Sequence, residues 1–322
     1  MKAARLFGVR DLRVVDTEKP SSDHHSAVVK VASCVLCGSD VHQWDGRHPP
    51  SAYPSDFGHE TAGMVVEVGS EVRGLSVSDR VTWYLAHGSL AEYFAFAPHE
   101  MAVGKLAAHI TWEEGATIQL LCAVMRGVVN GKPGPGKRAL VLGCGAVGLS
   151  VLQCARAMGM DEVIAADLIP FRRSLACQLG ASYTVDPSVE GWYNTLSRAG
   201  ERFHIVYDCM DEDRSPGGDT LDLALRLMDD RGRCVIVGIS SRPRTIHTHT
   251  ILYRGLKIIG AHHQEMARVR ELMAMACQWV ADGTVSVKPY VTHRFPLAEA
   301  QKAVETAAAQ ADGVLKVAVN LE

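Results

Sequence analysis

Two short segments in the first part of the chain carry residue types that suit a transition metal: a cysteine, histidines and carboxylates. A thiolate, an imidazole and a carboxylate form a donor set that zinc accepts. A catalytic zinc takes three protein ligands and leaves a fourth position open for water or substrate. Cys37 opens the run Cys37-Gly38-Ser39-Asp40-Val41-His42, and His59 and Glu60 lie in Gly58-His59-Glu60-x-x-Gly63-x5-Gly69-x-x-Val72. This is not the metalloprotease pattern H-E-x-x-H, because Gly63 stands where the second histidine would be.

A second constellation suits a dinucleotide. Gly143-x-Gly145-x-x-Gly148, with Ala146 and Val147 between the last two glycines, follows one apolar strand and opens one helix. The first glycine permits a tight turn, the second lets a pyrophosphate approach the backbone, and the third lets helix and strand pack closely. The helix N-terminus then faces the phosphates. Asp167, 24 residues after Gly143, ends the next strand, where a carboxylate can bind the adenine ribose hydroxyls. Its charge would repel a 2′-phosphate, which favours NAD over NADP. Arg172 could soften that preference, but it and Arg173 read first as a solvated helix face. Val237, Gly238 and Ile239 close a later strand and complete the expected cofactor-binding set.

The surrounding elements must hold these groups in place. Residues before about 110 read as short strands and turns, among them Val28–Ala32, Thr61–Val68 and Arg80–Trp83. Thr111-Trp112-Glu113-Glu114 is a capping box that opens an apolar helix to about Val129, and the Gly/Pro-rich run 131–136 ends it. Strands at 138–142, 162–166, 203–208, 233–239 and 256–259 then alternate with helices at 147–158, 171–179 and 221–228. That alternation predicts a parallel sheet wrapped by helices. The tail reads as helix 266–282, strand 287–292, helix 297–309 and strand 315–319. With 322 residues and 47% apolar composition, the chain has room for about two cored domains. The expected division is 1–122 with 263–322, and 123–262 between them.

A formal net charge of −3 gives no reservoir for nucleic acid or an anionic membrane. The longest apolar run, Ala139 to Leu152, is too short to span a bilayer. The N-terminus lacks the apolar core of a signal peptide, so a cytoplasmic location is expected. The nine cysteines are odd in number and only Cys37, with Cys34, has C-x-x-C spacing, so neither a disulfide framework nor a four-cysteine zinc site is expected.

The GHExxGxxxxxGxxV pattern resembles that of the medium-chain, zinc-dependent alcohol dehydrogenases. CGSD before it, Ser78-Asp79-Arg80-Val81 after it and the later GxGxxG fit the same family. The nearest flavour is the sorbitol and polyol branch, echoed in CGSDVHQW, ADLIPFRRSLACQLGA and VKPYVTHRFPLAEAQKAVET. The resemblance implies an α/β protein: a GroES-like, mostly β catalytic domain joined to a doubly wound Rossmann domain. It further implies one catalytic Zn2+, a nicotinamide cofactor, a small alcohol or ketone substrate and a homodimer or homotetramer. Cys37 and His59 then resemble zinc ligands, and Asp40 the carboxylate that orients His59. Ser39 resembles the hydroxyl that takes the substrate proton, and His42 the outer end of the proton relay.

The third ligand departs from the family pattern. Counting back 24 residues from Gly143 reaches Gln119, a poor zinc ligand. Glu60 is the preferred substitute, with Cys122, one helical turn past Gln119, as the reserve. The family's cysteine-rich lobe is also missing between the Arg80-Val81 strand and Gly88-Ser89-Leu90-Ala91-Glu92-Tyr93, so no structural zinc is expected. Pocket candidates are Trp44, His48, Trp83, Tyr84, Gln119 and His262 to Gln264, His263 foremost. Where sorbitol-type members resemble an Arg-Tyr pair on the polyol, this chain has His263-Gln264. A cyclitol, sugar-derived or amino alcohol therefore fits better than a linear sugar alcohol. A zinc-free reductase of enones or quinones and a non-catalytic nucleotide-binding protein are the alternatives.

Overall fold

A computed structural model describes residues 1–84, 87–189, 191–192, 196, 202–211, 220–240, 243–262, 265–311 and 313–321. The chain forms two compact units: Met1–Cys122 with Glu265–Glu322, and Ala123–Gln264.

The first unit begins with β1 (Lys2–Gly8), β2 (Asp11–Asp16), β3 (Ala27–Val35), α1 (Gly38–Trp44), β4 (Ser55–Asp56) and β5 (Glu60–Val68). It continues through β6 (Arg80–Trp83), β7 (Tyr93–Phe96) and β8 (Val103–Lys105) to α2 (Trp112–Gly131). The expected capping box is present: Glu114 N–H donates to Thr111 Oγ1 at 3.2 Å and Thr111 N–H to Glu114 Oε2 at 2.9 Å. The second unit runs β9 (Arg138–Leu142), α3 (Ala146–Ala157), β10 (Glu162–Ala166), α4 (Pro170–Gln178), β11 (Tyr183–Val185) and β12 (Phe203–Asp208). It ends with α5 (Thr220–Leu227), β13 (Met228–Ile236), α6 (Thr248–Arg254) and β14 (Lys257–Gly260). The chain then returns to the first unit with α7 (Met266–Ala281), β15 (Val291–Pro296), α8 (Ala300–Ala309) and β16 (Lys316–Asn320).

In the first unit the strands run β15-β16-β3-β5-β6-β8, with β7 also paired to β3, and a smaller sheet runs β2-β1-β4. This mostly antiparallel arrangement encloses Leu6, Val29, Val31, Phe57, Val65 and Val317. In the second unit the order is β11-β10-β9-β12-β13-β14, parallel throughout. The order reverses direction between β9 and β12, the switch point at which doubly wound sheets bind nucleotides.

Several boundaries differ from the sequence reading: β3 runs past Ala32 to Val35, β13 already starts at Met228, and α8 begins only at Ala300. The tail strand starts at Val291 rather than 287, because 287–290 is a turn, with Val287 and Tyr290 buried, closed by Tyr290 N–H donating to Val287 O at 3.0 Å. The strand expected at 233–239 is β13 and ends at Ile236. Val237 and Gly238 leave the ladder, and both N–H groups donate to Asp208 O at 2.9 Å.

Candidate active site

α1 is only seven residues long, and it and its N-cap carry four of the residues that matter. Cys37 precedes it, and Ser39, Asp40 and His42 lie on it. The Cys37 N–H donates to Asp40 Oδ2 at 2.8 Å, while Asp40 Oδ1 meets His59 Nδ1 at 3.0 Å. One buried carboxylate therefore fixes both the start of the helix and the imidazole. With Nδ1 so occupied, His59 has Nε2 left for a metal.

His59 and Glu60 are neighbours in sequence, and neighbours on a strand normally point to opposite faces. Here β5 begins only at Glu60, and Gly58 holds a left-handed φ of +81°. A Cβ at Gly58 would lie 2.8 Å from the Leu90 Cβ and 2.9 Å from the Cys34 Sγ, so the bend requires glycine. The bend precedes the strand and brings both side chains to one place. The ligand atoms of Cys37, His59 and Glu60 all lie within 4.8 Å of one another. Among the described residues no other group of three His, Cys, Asp or Glu does so.

Glu60 is fully buried. Its Oε2 is bonded to Lys316 Nζ of β16, which also donates to Leu36 O at 3.2 Å. Its Oε1 is buried and has no hydrogen-bond partner. A buried, unsatisfied carboxylate oxygen beside a thiol and an imidazole suits a bound cation. The reserve ligand is not in the group: the Cys122 thiol donates to Val269 O at 3.7 Å. Gln119 is buried on α2.

The electrostatics follow from burial and pairing. Burial opposes charge on Asp40, but the His59 charge and hydrogen bond and the Cys37 N–H outweigh it, and the carboxyl stays below its ordinary value. Burial likewise opposes protonation of His59, but Asp40 and then Cys37 raise it well above the usual imidazole value. At Lys316 desolvation is outweighed by Glu60, Cys37 and Asp40, so the ammonium is held charged. Neither Lys316 nor His87, whose ring centroid is 5.2 Å from that of His59, was singled out from the sequence. Desolvation, then the charge of His59, pushes His87 below the ordinary value.

His42 is buried on α1 with its ring 5.4 Å from that of His48, and Ser39 is half-buried on the first turn. The expected pocket residues fare differently. Trp83 is fully buried and stacked on Phe94 and Phe96, with ring centroids 5.6 and 5.3 Å away. Trp44 is in the same core, with Nε1 donating to Gln301 Oε1 at 3.3 Å. Both rings pack in this core, where an aromatic ring gains from stacking and burial. His263 lies outside the described residues, as does Gln264.

In the second unit Gly143 follows β9, and its N–H donates to Ala166 O at 2.8 Å. A Cβ on Gly148 would lie 1.7 Å from Gly143 O, so helix and turn can approach this closely only at glycine. A Cβ on Gly145, the N-cap of α3, would meet nothing within 4 Å, so space for a ligand lies over the helix N-terminus. Asp167 is buried; Oδ2 accepts from Cys144 N–H at 2.7 Å and Oδ1 from Ile169 N–H at 2.8 Å. The nucleotide loop thus positions its own acidic partner. Arg172 and Arg173 are not a solvated face. Arg173 is half-buried, donates to Asp167 O and Leu168 O and pairs with Asp186, while the buried Nε of Arg172 has no partner.

A Cys-His-Glu cluster, half-buried at Cys37 and buried at His59 and Glu60, in the first unit, and a glycine turn at the switch point of the six-stranded parallel sheet in the second, fit the class of metal-dependent nicotinamide oxidoreductases. Residues 23–119 match the alcohol dehydrogenase GroES-like domain family and residues 146–278 the zinc-binding dehydrogenase family. The chain belongs to the zinc-dependent medium-chain alcohol dehydrogenases, on the polyol-dehydrogenase side. It is 29% identical to the sorbitol dehydrogenase of Ovis aries over 335 residues, 94% of this chain and 91% of that protein. A Sinorhizobium meliloti 1021 structure bound to NADP has a TM-score of 0.87 at 27% identity, covering 99% of this chain and 98% of that one. The 2R,3R-butanediol dehydrogenase of Bacillus subtilis has a TM-score of 0.82 at 25% identity, covering 99% of each chain. The protein is a zinc-dependent polyol or alcohol oxidoreductase acting on CH–OH donors.

Proposed function

We propose that this enzyme oxidises a secondary alcohol bearing further polar groups, with NAD as hydride acceptor, at a zinc held by Cys37 Sγ, His59 Nε2 and Glu60 Oε1. The observation that carries the reading is the unpartnered Glu60 Oε1 beside Cys37 and His59. Zinc, when bound, supplies a Lewis acid that lowers the alcohol's pKa. Asp40 holds His59 in one tautomer and orientation. Lys316 keeps Glu60 Oε2, leaving Oε1 for the metal. Ser39 Oγ takes the proton of the substrate hydroxyl, and His42, three residues on along α1, receives it and passes it outward past His48.

The glycine turn and the N-terminus of α3 bind the pyrophosphate. Asp167 keeps a second lone pair on each oxygen for the ribose hydroxyls, which favours NAD over NADP. The unpartnered Nε of Arg172 is the group that an NADP preference would use. The domain division proposed is a GroES-like domain of 1–122 and 263–322 around a Rossmann domain of 123–262. A homo-oligomer is supported by β14, whose outer edge carries no described strand, and by Leu252 and Tyr253, 76% and 73% exposed on the preceding helix α6. A cytoplasmic location fits nine cysteines that are all free thiols.

The test is metal analysis with a substrate screen. Purified protein should contain about one zinc per chain, and NADH should appear with polar secondary alcohols and zinc. Full activity of zinc-free protein would refute the reading.

A further inference from the structure

His87 lies just after β6, at the point where the chain turns back toward the metal cluster. It is exposed, yet its ring lies against that of buried His59, with planes tilted by 52°. The backbone beneath it is fastened to the backbone beneath His59. The N–H groups of Gly88 and Ser89 both donate to Gly58 O, at 2.9 and 3.2 Å, and Leu90 N–H donates to Phe57 O at 3.0 Å. Ser89 Oγ and Thr61 Oγ1 are 2.6 Å apart, which closes the attachment on the far side of His59. His87 is therefore held in register with a metal ligand, on its solvent side. It is not a member of the ligand group itself.

We infer that His87 is a specificity-determining residue that hydrogen-bonds a second hydroxyl of the substrate, on the carbon next to the one oxidised, so that vicinal diols are the preferred substrates. The inference rests on the metal-centred alcohol oxidation proposed above. The two oxygens of a vicinal diol are about a hydrogen-bond length apart, so an oxygen held beside His59 presents its neighbour within reach of the adjoining imidazole. An imidazole can both donate to and accept from a hydroxyl, which gives it a grip on this group that an apolar side chain lacks. With a simple alcohol the same imidazole stays solvated, so the discrimination is that of one hydrogen bond rather than a large rejection.

The experiment compares 2,3-butanediol with 2-butanol on wild type, His87→Ala and His87→Asn. Two readouts are taken: kcat/KM for each alcohol with zinc-loaded enzyme, and the Kd of each alcohol from its shift of the d–d bands of the Co2+-loaded protein. The diol preference should fall about 2- to 10-fold in His87→Ala, the range of one net hydrogen bond, and partly return in His87→Asn. The Co2+ bands without alcohol should keep their wild-type positions. A preference unchanged by His87→Ala overturns the inference, and so does a shift of the alcohol-free Co2+ bands, which would make His87 a ligand instead. The Co2+ titration reads His87 even if no alcohol is turned over. In that event the proposed function fails while the binding result still decides this residue.

Discussion

Lys316→Met separates the two partners of Glu60. The side chains of Lys316 and Glu60 are 5% and 0% exposed, and among the described residues the Glu60 carboxylate bonds only to Lys316. Methionine keeps the length and apolar stem but removes the charge, leaving a buried carboxylate whose desolvation is no longer offset. Breaking a buried pair from one side costs about 3–5 kcal/mol. For a folding unit of about 150–250 residues, each kcal/mol moves the melting temperature by about 2–4 °C, so the metal-free variant should melt about 6–20 °C lower. Lys316→Met with Glu60→Gln should cost less than Lys316→Met alone, because no charge is then stranded. Zinc should recover more stability in Lys316→Met than in the wild type, since it brings a positive charge to the same carboxylate. The assay is calorimetry of chelator-treated and zinc-loaded protein. A loss under about 1 kcal/mol in the metal-free state, or equal zinc stabilisation in both proteins, would refute the reasoning, because a buried unpaired charge cannot be that cheap.

Further outcomes follow from the same geometry. Cys37→Ala should lose zinc and turnover while keeping most NAD affinity. In chelator competition Glu60→Gln should lower zinc affinity and Cys122→Ala should not, its thiol being on Val269 O; the reverse order would make Cys122 the ligand. Asp40→Asn should weaken zinc binding about 10- to 100-fold, as loss of a ligand-orienting group does. Asp40, held low, contributes metal-free stability that is present above about pH 4 and lost as pH falls through its folded value. His59, held high, contributes stability that is full below about pH 6.5 and lost as pH rises through its folded value. Urea unfolding at pH 3, 5 and 9 should therefore find the metal-free protein most stable at pH 5 relative to Asp40→Asn. Gly148→Ala should abolish NAD binding and destabilise the second unit, read by NAD titration and circular dichroism, since its Cβ would overlap Gly143 O at 1.7 Å.

The parallel sheet was legible because strands buried on both faces are continuous apolar runs, and the Thr111–Glu114 box marked α2 by its own chemistry. α1 was not: Gly38-Ser39-Asp40 has turn composition, and seven residues are too few for a helical period to show. The metal cluster was legible as residue types, but the convergence of adjacent His59 and Glu60 depends on the Gly58 bend, a three-dimensional fact. Trp44 and Trp83 went to the core because a sequence does not say which side of a strand or helix faces a neighbour. Lys316 left one faint signal: a lone glutamate opening an apolar strand requires a buried cation somewhere, but nothing in Leu315-Lys316-Val317 says that it is this one.

The Lys316–Glu60 pair has a consequence for which ion the site can hold. With the Cys37 thiol deprotonated by a metal, the buried cluster carries negative charge on Cys37, Glu60 and Asp40 against the one positive charge of Lys316. A divalent ion brings that cluster to neutrality. A monovalent ion such as Cu+ leaves it one charge short, and a trivalent ion leaves it one charge over, in surroundings where an uncompensated charge is expensive. At the proposed ligand set the lysine, itself outside the ligand group, would act as a filter on valence.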